Sequence, residues 1–282
     1  MAIALVTKFQ PYVDEQFATE SRKMLLTNQY YDWSGAHSIK LYKITTASMN
    51  DYGRSGPSTG NWSRYGIVQG LDATTEELTL KKDRSFTFAI DQLDEDETEH
   101  NLKAATALSR QMREVIIPEV DTYTYGVMVA GAGYKPAAIA LTAENIYSEI
   151  LKANNALDNA EVPETERQIV VTPDVYALMK KCKDIVLETD IGNDLRLKGV
   201  ISNLDGCNVI KVPASRLPKN FGFMIAHPCA CAAPTKLETY NVHTNPPGIS
   251  GQLVEGRIVY DAFVLENKAK AIYYQALATS AA

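Results

Sequence analysis

The chain has 282 residues, a formal charge of −6 at pH 7, 45% hydrophobic and 22% charged residues. This composition excludes disordered, collagen-like and disulfide-stapled classes, and four cysteines are too few for a disulfide framework, which points to a reducing cytoplasm. The start, MAIALVTKF, lacks the basic region and long apolar run of a secretory signal. The best membrane candidate, Thr122 to Ala143, is interrupted by Gly126, Gly131, Gly133, Lys135 and Pro136, so a soluble product with no membrane partner is expected.

Residues 1–90 carry 10 Lys+Arg against 9 Asp+Glu, whereas 91–282 carry 18 against 25, so the acidic excess lies in the second part. A protein that grips nucleic acid tightly carries a basic stripe that neutralises phosphates, and the sequence shows none. Tight, salt-dependent DNA binding is therefore not expected; weak non-specific contact is.

In chain order, the first forty residues mix apolar and polar groups around Tyr30, Tyr31 and Trp33. They read equally as a terminal strand or short helix on the core, or as an arm reaching another chain. Ile39-Lys40-Leu41-Tyr42-Lys43-Ile44 then begins in strand alternation, and the return run sets Leu78 and Leu80, then Phe86, Phe88 and Ile90, at spacing two. Between them Gly53 to Trp62 holds three Gly, one Pro and three Ser/Thr, a loop tip. Ile39 to Ile90 thus reads as one long hairpin-like excursion. Loops of this length usually serve a function, and an isolated two-stranded hairpin is marginal in water. A neighbouring subunit is the natural surface for it to lie on.

Asp91 to Glu99 carries six acids in nine residues, which suits a helix start: carboxylates favour the positive end of the macrodipole, and Asp96 with Glu99 has capping-box spacing. Leu102, Ala105, Leu108, Met112, Val115, Ile116, Val120, Tyr123 and Val127 continue at helical spacing. Pro118 is expected to kink this helix or break it in two. After Gly131-Ala132-Gly133 the pattern is mixed. A helix is predicted over Ala143 to Leu157 and a buried strand over Ile169-Val170-Val171. Thr172-Pro173-Asp174 then opens a further helix. Strands are expected at Gly199 to Ser202 and Val209 to Val212 around the Asp205-Gly206 turn, and at Phe221 to Ala226. The tail reads as a hairpin, Arg257 to Leu265 and Ala269 to Tyr274, turning at Glu266-Asn267-Lys268.

The chemical motifs are incomplete. His227-Pro228-Cys229-Ala230-Cys231 with Cys182 and Cys207 gives one C-x-C and two isolated thiols, where structural zinc wants paired clusters, so buried inert thiols are the better reading. Asp94, Asp96 and Thr98 begin like a calcium loop, but Glu99 and Ala105 stand where that loop needs Gly and Glu. Gly131-Ala132-Gly133-Tyr134-Lys135 lacks the Gly-Lys-Ser/Thr ending of a phosphate loop, and no G-x-S-x-G or H-E-x-x-H occurs. No catalytic, cofactor-binding or metal residue is assigned.

The order of arm, long hairpin, long helix, α/β lobe and returning strands resembles the major capsid protein of tailed bacteriophages, with its Hong Kong 97-type fold. The residues that carry the resemblance are FTFAIDQLDEDETE (Phe86 to Glu99), Ile169 to Pro173, Gly206 to Pro213, and Gly256 to Phe263 through Lys270 to Tyr273. It implies an α+β fold with an N-terminal arm (1–38), an extended β-hairpin loop (39–90) and a spine helix of the peripheral domain (91–133). An axial α/β domain (134–235) and return strands of the peripheral sheet (236–282) would follow.

The resemblance also implies function. Subunits would form pentamers and hexamers that close into an icosahedral shell around phage DNA, assembled in the host bacterial cytoplasm and located in the virion. A separate scaffolding protein and a portal would be partners, with decoration proteins left open; some relatives carry a cleaved, scaffold-like leading segment that has no counterpart here. The Lys–Asn crosslink of some relatives matches no motif and is not carried over. Residues 39–90 hold 7 Lys+Arg against 5 Asp+Glu. Lys81, Lys82 and Arg84 near the loop's base, and Arg54 and Arg64 near its tip, are candidates to pair with a neighbour's carboxylates, or are solvated charges. Trp62 and Tyr65 are the better anchors, because aromatics dominate interface energetics. The alternatives are an encapsulin-like nanocompartment shell and, from another class, a cytoplasmic α/β enzyme whose site assembles from distant residues.

Overall fold

A computed structural model of the chain describes residues 21–28, 30–31, 33, 38–57, 60, 62–93, 104–183, 185 and 203–278. Two compact units emerge, one formed by 33–80 and the other by the rest of the chain. The arm over 1–20, the acidic run over 94–99 and the strand expected at Gly199 to Ser202 lie outside the described residues.

In the smaller unit, β1 (Ser38–Ile44) and β2 (Ala73–Thr79) pair antiparallel, Ser38 opposite Thr79 and Ile44 opposite Ala73. Lys43 and Glu76 meet at 3.0 Å on one face, and Thr45 extends the ladder by bonding Asp72 through both main chain and hydroxyl. Near the tip, the Gly53 N–H donates to the Arg64 carbonyl at 2.9 Å, and Tyr52 meets Tyr65 edge-on at 5.1 Å. Gly53 has no room for a Cβ, which would lie 2.2 Å from the Gly56 carbonyl oxygen.

The alternation at 86–90 belongs to a different sheet. β3 (Lys82–Asp91) leaves the hairpin and pairs with β10 (Gly251–Tyr260), which pairs on its other side with β9 (Thr235–Thr244). The excursion therefore closes at Leu80 instead of Ile90. Leu78, Leu80, Phe86, Phe88 and Ile90 share one phase, and period two reports a face without identifying the partner strand.

The long helix is built from α1 (Ala104–Gln111), a π-helical turn (Met112–Ile116) and α2 (Ile117–Gly131). It runs through Pro118 unbroken, about 42 Å at 1.5 Å per residue. The expected break is absent because Pro118 sits in the first turn of α2, directly after the wider turn in which the Ile117 N–H reaches back to the Met112 carbonyl. That extra residue relieves the clash a proline ring makes with the preceding turn.

This helix joins two cores. Its first half packs Leu108, Met112, Ile116 and Val120 against Ile90, Val242, Val254 and Ile258 of the three-stranded sheet. Its second half packs Tyr125 and Met128 against Met224, Ala226, Ile272 and Tyr274 of a five-stranded sheet. That sheet has the order β12 (Ile272–Ala276), β7 (Phe221–Ala226), β4 (Gln168–Val171), β6 (Cys207–Lys211), β5 (Asn203–Leu204), with β4 and β6 parallel. On its other face lie α3 (Ile146–Asn159) and α4 (Pro173–Lys181), which cover Ile169, Val171, Phe223 and Ile225. Burial on both faces explains why β4 and β7 read as continuous apolar runs without alternation.

Local signals in this lobe are met closely. Thr172 Oγ1 caps α4 by accepting from Val175 N at 3.3 Å, with Pro173 following. Asp205 and Gly206 take the positive φ values, 49° and 73°, of the turn between β5 and β6. Helix α3 starts at Ile146, later than expected, because the Asn145 side chain closes the preceding turn, accepting from Thr142 N and donating to the Ala140 carbonyl. The tail differs in kind from the expected hairpin: β10 lies in the three-stranded sheet, a 3₁₀ turn (Glu266–Ala271) carries the chain across, and β12 pairs with β7. Between them, the short β11 (Phe263–Val264) pairs with β8 (Cys231–Ala232).

Residues 21–28 lie on the body. Leu26 is buried in the second core, Asn28 N–H donates to the Cys231 carbonyl at 2.8 Å, and Ser21 donates its hydroxyl to Asp121 at 2.7 Å. Asp121, 1% exposed, also accepts from Arg216 Nη1 at 3.0 Å. Burial raises this carboxyl above the ordinary range, outweighing Ser21 and the Arg216 and Lys23 charges that pull the other way. A raised folded-state value means the stability contributed by Asp121 decreases as pH rises from the ordinary carboxylate range through that raised value. The wild-type advantage over Asp121→Asn in urea melts is therefore expected to shrink across that window, and a pH-independent difference would contradict the assignment.

Candidate assembly surface

The excursion exposes large apolar side chains that folded monomers ordinarily cover. Tyr42 and Ile44, two apart on β1, share one face of the hairpin, and Tyr42 is 75% exposed. Beyond the paired strands Met49 is 99% exposed, Trp62 85% and Tyr65 77%, with Ile67, Val68 and Leu71 also open. Full burial of one such side chain is worth roughly 1.5–3 kcal/mol. Such a surface is suited to being covered by another apolar surface.

The candidate contact residues fall in two places. Arg54, Trp62, Arg64 and Tyr65 are together in the loop beyond β1 and β2, all exposed, with Arg64 held by its main chain to Gly53. Lys81, Lys82 and Arg84 belong to the three-stranded-sheet body. There Arg84 Nε meets Glu119 Oε1 of α2 at 2.8 Å, and Lys82 Nζ lies over the Tyr123 ring at 4.8 Å. Lys82 and Arg84 thus also have partners within the chain, because even-numbered positions of β3 face the helix, while the Arg84 side chain stays more than half exposed. The Arg84–Glu119 pair is solvent-exposed and contributes only about 0–1 kcal/mol.

Sequence reasoning missed Asp261, which organises this region. Buried after β10, its carboxylate accepts from the Lys81 main-chain N–H at 2.8 Å, from the Tyr123 hydroxyl at 2.7 Å and from its neighbour Ala262 N–H. Desolvation, then the hydrogen bond and charge of Asp261, push the Tyr123 phenol up to about 12. Asp261→Asn sets an amide against these donors. It is expected to cost about 1–3 kcal/mol in chemical denaturation and to lower the Tyr123 phenol pKa in ultraviolet titration. An unchanged melt would contradict this role.

The enzyme alternative finds cysteines with little reactivity. Cys182, Cys207 and Cys231 are buried and Cys229 half-buried. Burial raises the Cys207 and Cys229 thiols and pushes Cys231 up to about 12, so they stay protonated and weakly nucleophilic. Burial also lowers His227, whose Nδ1 accepts from Cys229 N at 3.1 Å. Among the described residues no three His, Cys, Asp or Glu side chains group as metal ligands would, and no helix is long and apolar enough to cross a membrane. An open dish of about 540 Å³ with a mixed polar and apolar lining lies on the three-stranded sheet, where Phe86 and Gly256 join Ser85, Thr87, Thr239, Asn241, Glu255 and Arg257. Its two charged groups are paired within the chain, Arg257 with Asp83 and Glu255 with His243.

No protein-family model and no curated protein matches the chain. Solved structures do. The chain is similar to a structure of Mycobacterium phage Che8, with a TM-score of 0.72 and 17% identity over 98% of this chain and 92% of that one. It is likewise similar to the capsid of cyanophage P-SCSP1u, with a TM-score of 0.72 and 13% identity over 91% and 87%. A virus-like particle from Pyrococcus furiosus gives a TM-score of 0.59 and 10% identity over 95% and 100%. The chain has the Hong Kong 97-type capsid fold, mixed α and β.

Proposed function

We propose that the chain is the major capsid protein of a tailed bacteriophage, a structural protein that assembles with itself into pentamers and hexamers closing an icosahedral shell around phage DNA. The observation that carries this reading is the extent of the fold match. Similarity over 98% of the chain leaves out fewer residues than the excursion contains, which supports reading the exposed hairpin as part of the shared architecture. In this reading 1–38 is the arm, the hairpin drapes over an adjacent subunit, the long helix is the spine and 134–235 is the axial domain. Arg54, Trp62, Arg64 and Tyr65 are the contacts at its far end, with the Lys81, Lys82 and Arg84 side chains at its base. Assembly takes place in the host cytoplasm with scaffolding protein and portal. The Che8 and P-SCSP1u structures, each at a TM-score of 0.72 against 0.59 for the virus-like particle, support this reading beside the nanocompartment shell that the particle exemplifies.

The test is size-exclusion chromatography and negative-stain microscopy of the purified full chain across a concentration series. Hollow shells, tubes or capsomer rings are expected. A uniform small oligomer that persists at the highest concentration, with turnover of any substrate, would overturn the proposal.

A further inference from the structure

The axial lobe carries a basic cluster on a chain whose net charge is −6. Lys180 and Lys181 end α4, Lys183 follows, and Lys211 ends β6, the strand parallel to β4 from which α4 departs. All four are exposed. Lys180 Nζ lies 5.1 Å and Lys211 Nζ 5.2 Å from the centre of the same Tyr176 ring. Two ammonium groups from distant parts of the chain are thereby held within about a Debye length of each other, roughly 10 Å at 0.1 M salt. Among the described residues none of the four lysines has a carboxylate within ion-pair distance, and Asp174, in the first turn of α4, is the acidic residue of that helix. Like charges held together with no carboxylate at ion-pair distance among the described residues raise the local potential, and an anion bound there relieves it.

We propose that Lys180, Lys181, Lys183 and Lys211 form a contact surface for the phosphate backbone of nucleic acid. The inference rests on the shell reading for the identity of the polyanion, and on the cluster itself for the binding. The cluster is all lysine, a compact charge on a flexible stem that binds phosphate as a point charge in many registers, and the shell reading supplies the phosphate polyanion. Contact through so few lysines is weak, non-specific and dependent on salt, which agrees with the absence of a long basic stripe.

The experiment measures binding of a fluorescein-labelled 30-base-pair duplex to the full chain by anisotropy between 50 and 200 mM salt. It compares the wild type with Lys180→Glu/Lys211→Glu and with the control Lys40→Glu/Lys268→Glu, circular dichroism confirming the fold of each. The wild type is expected to bind weakly, and the lobe variant to lose at least tenfold in affinity. Its log–log salt slope should fall by about 2, since each lost phosphate contact removes about 0.9. The control should bind as the wild type does. No binding by the wild type at 50 mM salt, equal affinity in the lobe variant, or polyglutamate binding more tightly than the duplex would each overturn the proposal, the last assigning the surface to an acidic protein. Negative-stain images of the same samples keep the two readings apart: shells without duplex binding defeat this inference alone, and duplex binding without assembly defeats the shell.

Discussion

Trp62→Ala is expected to abolish or severely reduce shell formation while leaving the urea midpoint of the unassembled chain unchanged. The side chain is 85% exposed, so its removal takes almost nothing from the fold. In an assembly that buries it, the same removal withdraws roughly 1.5–3 kcal/mol at every copy of the contact. Closed shells repeat each contact many times, so a modest change per site is amplified in the assembly equilibrium. Electron microscopy counts the particles and a denaturant melt reads the fold. Normal particle yield with an unchanged melt would remove Trp62 from the interface. A lowered melting midpoint would show that it packs within its own subunit.

The opposite pattern is expected of Phe223→Ala. Phe223 is fully buried on β7, stacked 6.3 Å from Tyr273 on β12 and covered by α3 and α4. Truncating a core aromatic costs about 3–5 kcal/mol, a large share of the roughly 5–15 kcal/mol that separates folded from unfolded domains. The chain should lose most of its soluble expression, and a melt of the remainder should show the deficit. A variant with wild-type stability would mean that the two-sided core of the five-stranded sheet is described wrongly.

These two residues also show what the sequence makes legible. Phe223 lies in an apolar run, Phe221 to Ala226, whose lack of alternation already indicates a strand buried on both faces. Thr172-Pro173-Asp174 and Asp205-Gly206 are local geometric requirements, and local requirements are written in neighbouring residues. Strand partners are not written there. β3 pairs with β10 more than 150 residues away, and β12 with β7 instead of with the strand before it, so the tail hairpin and the 82–90 end of the first one stand beside other neighbours than expected, while Ile39 does pair with Leu78 of the return run. The π turn ahead of Pro118 was equally hidden, because helical spacing tolerates one extra residue without announcing it.

The candidate assembly surface is legible in part. Trp62 and Tyr65 stand out as aromatics in a loop of Gly, Ser and Pro, whereas Tyr42 and Ile44 do not, since alternation on a strand normally means that one apolar set faces a core. Lys82 and Arg84 illustrate the converse. Their charge suggests solvent, yet their phase along β3 turns them towards Glu119 and Tyr123. Asp261 carries no local signal, because its three donors come from Lys81, Tyr123 and its own neighbour, brought together by the fold alone.

Hydrogen–deuterium exchange of residues 38–80, read by mass spectrometry on unassembled chain and on assembled particles, tests most directly whether the excursion is completed by a second copy. The account predicts rapid exchange through 46–71 in the unassembled chain and strong protection of the same peptides in particles. Equal protection of those peptides in both states would contradict it.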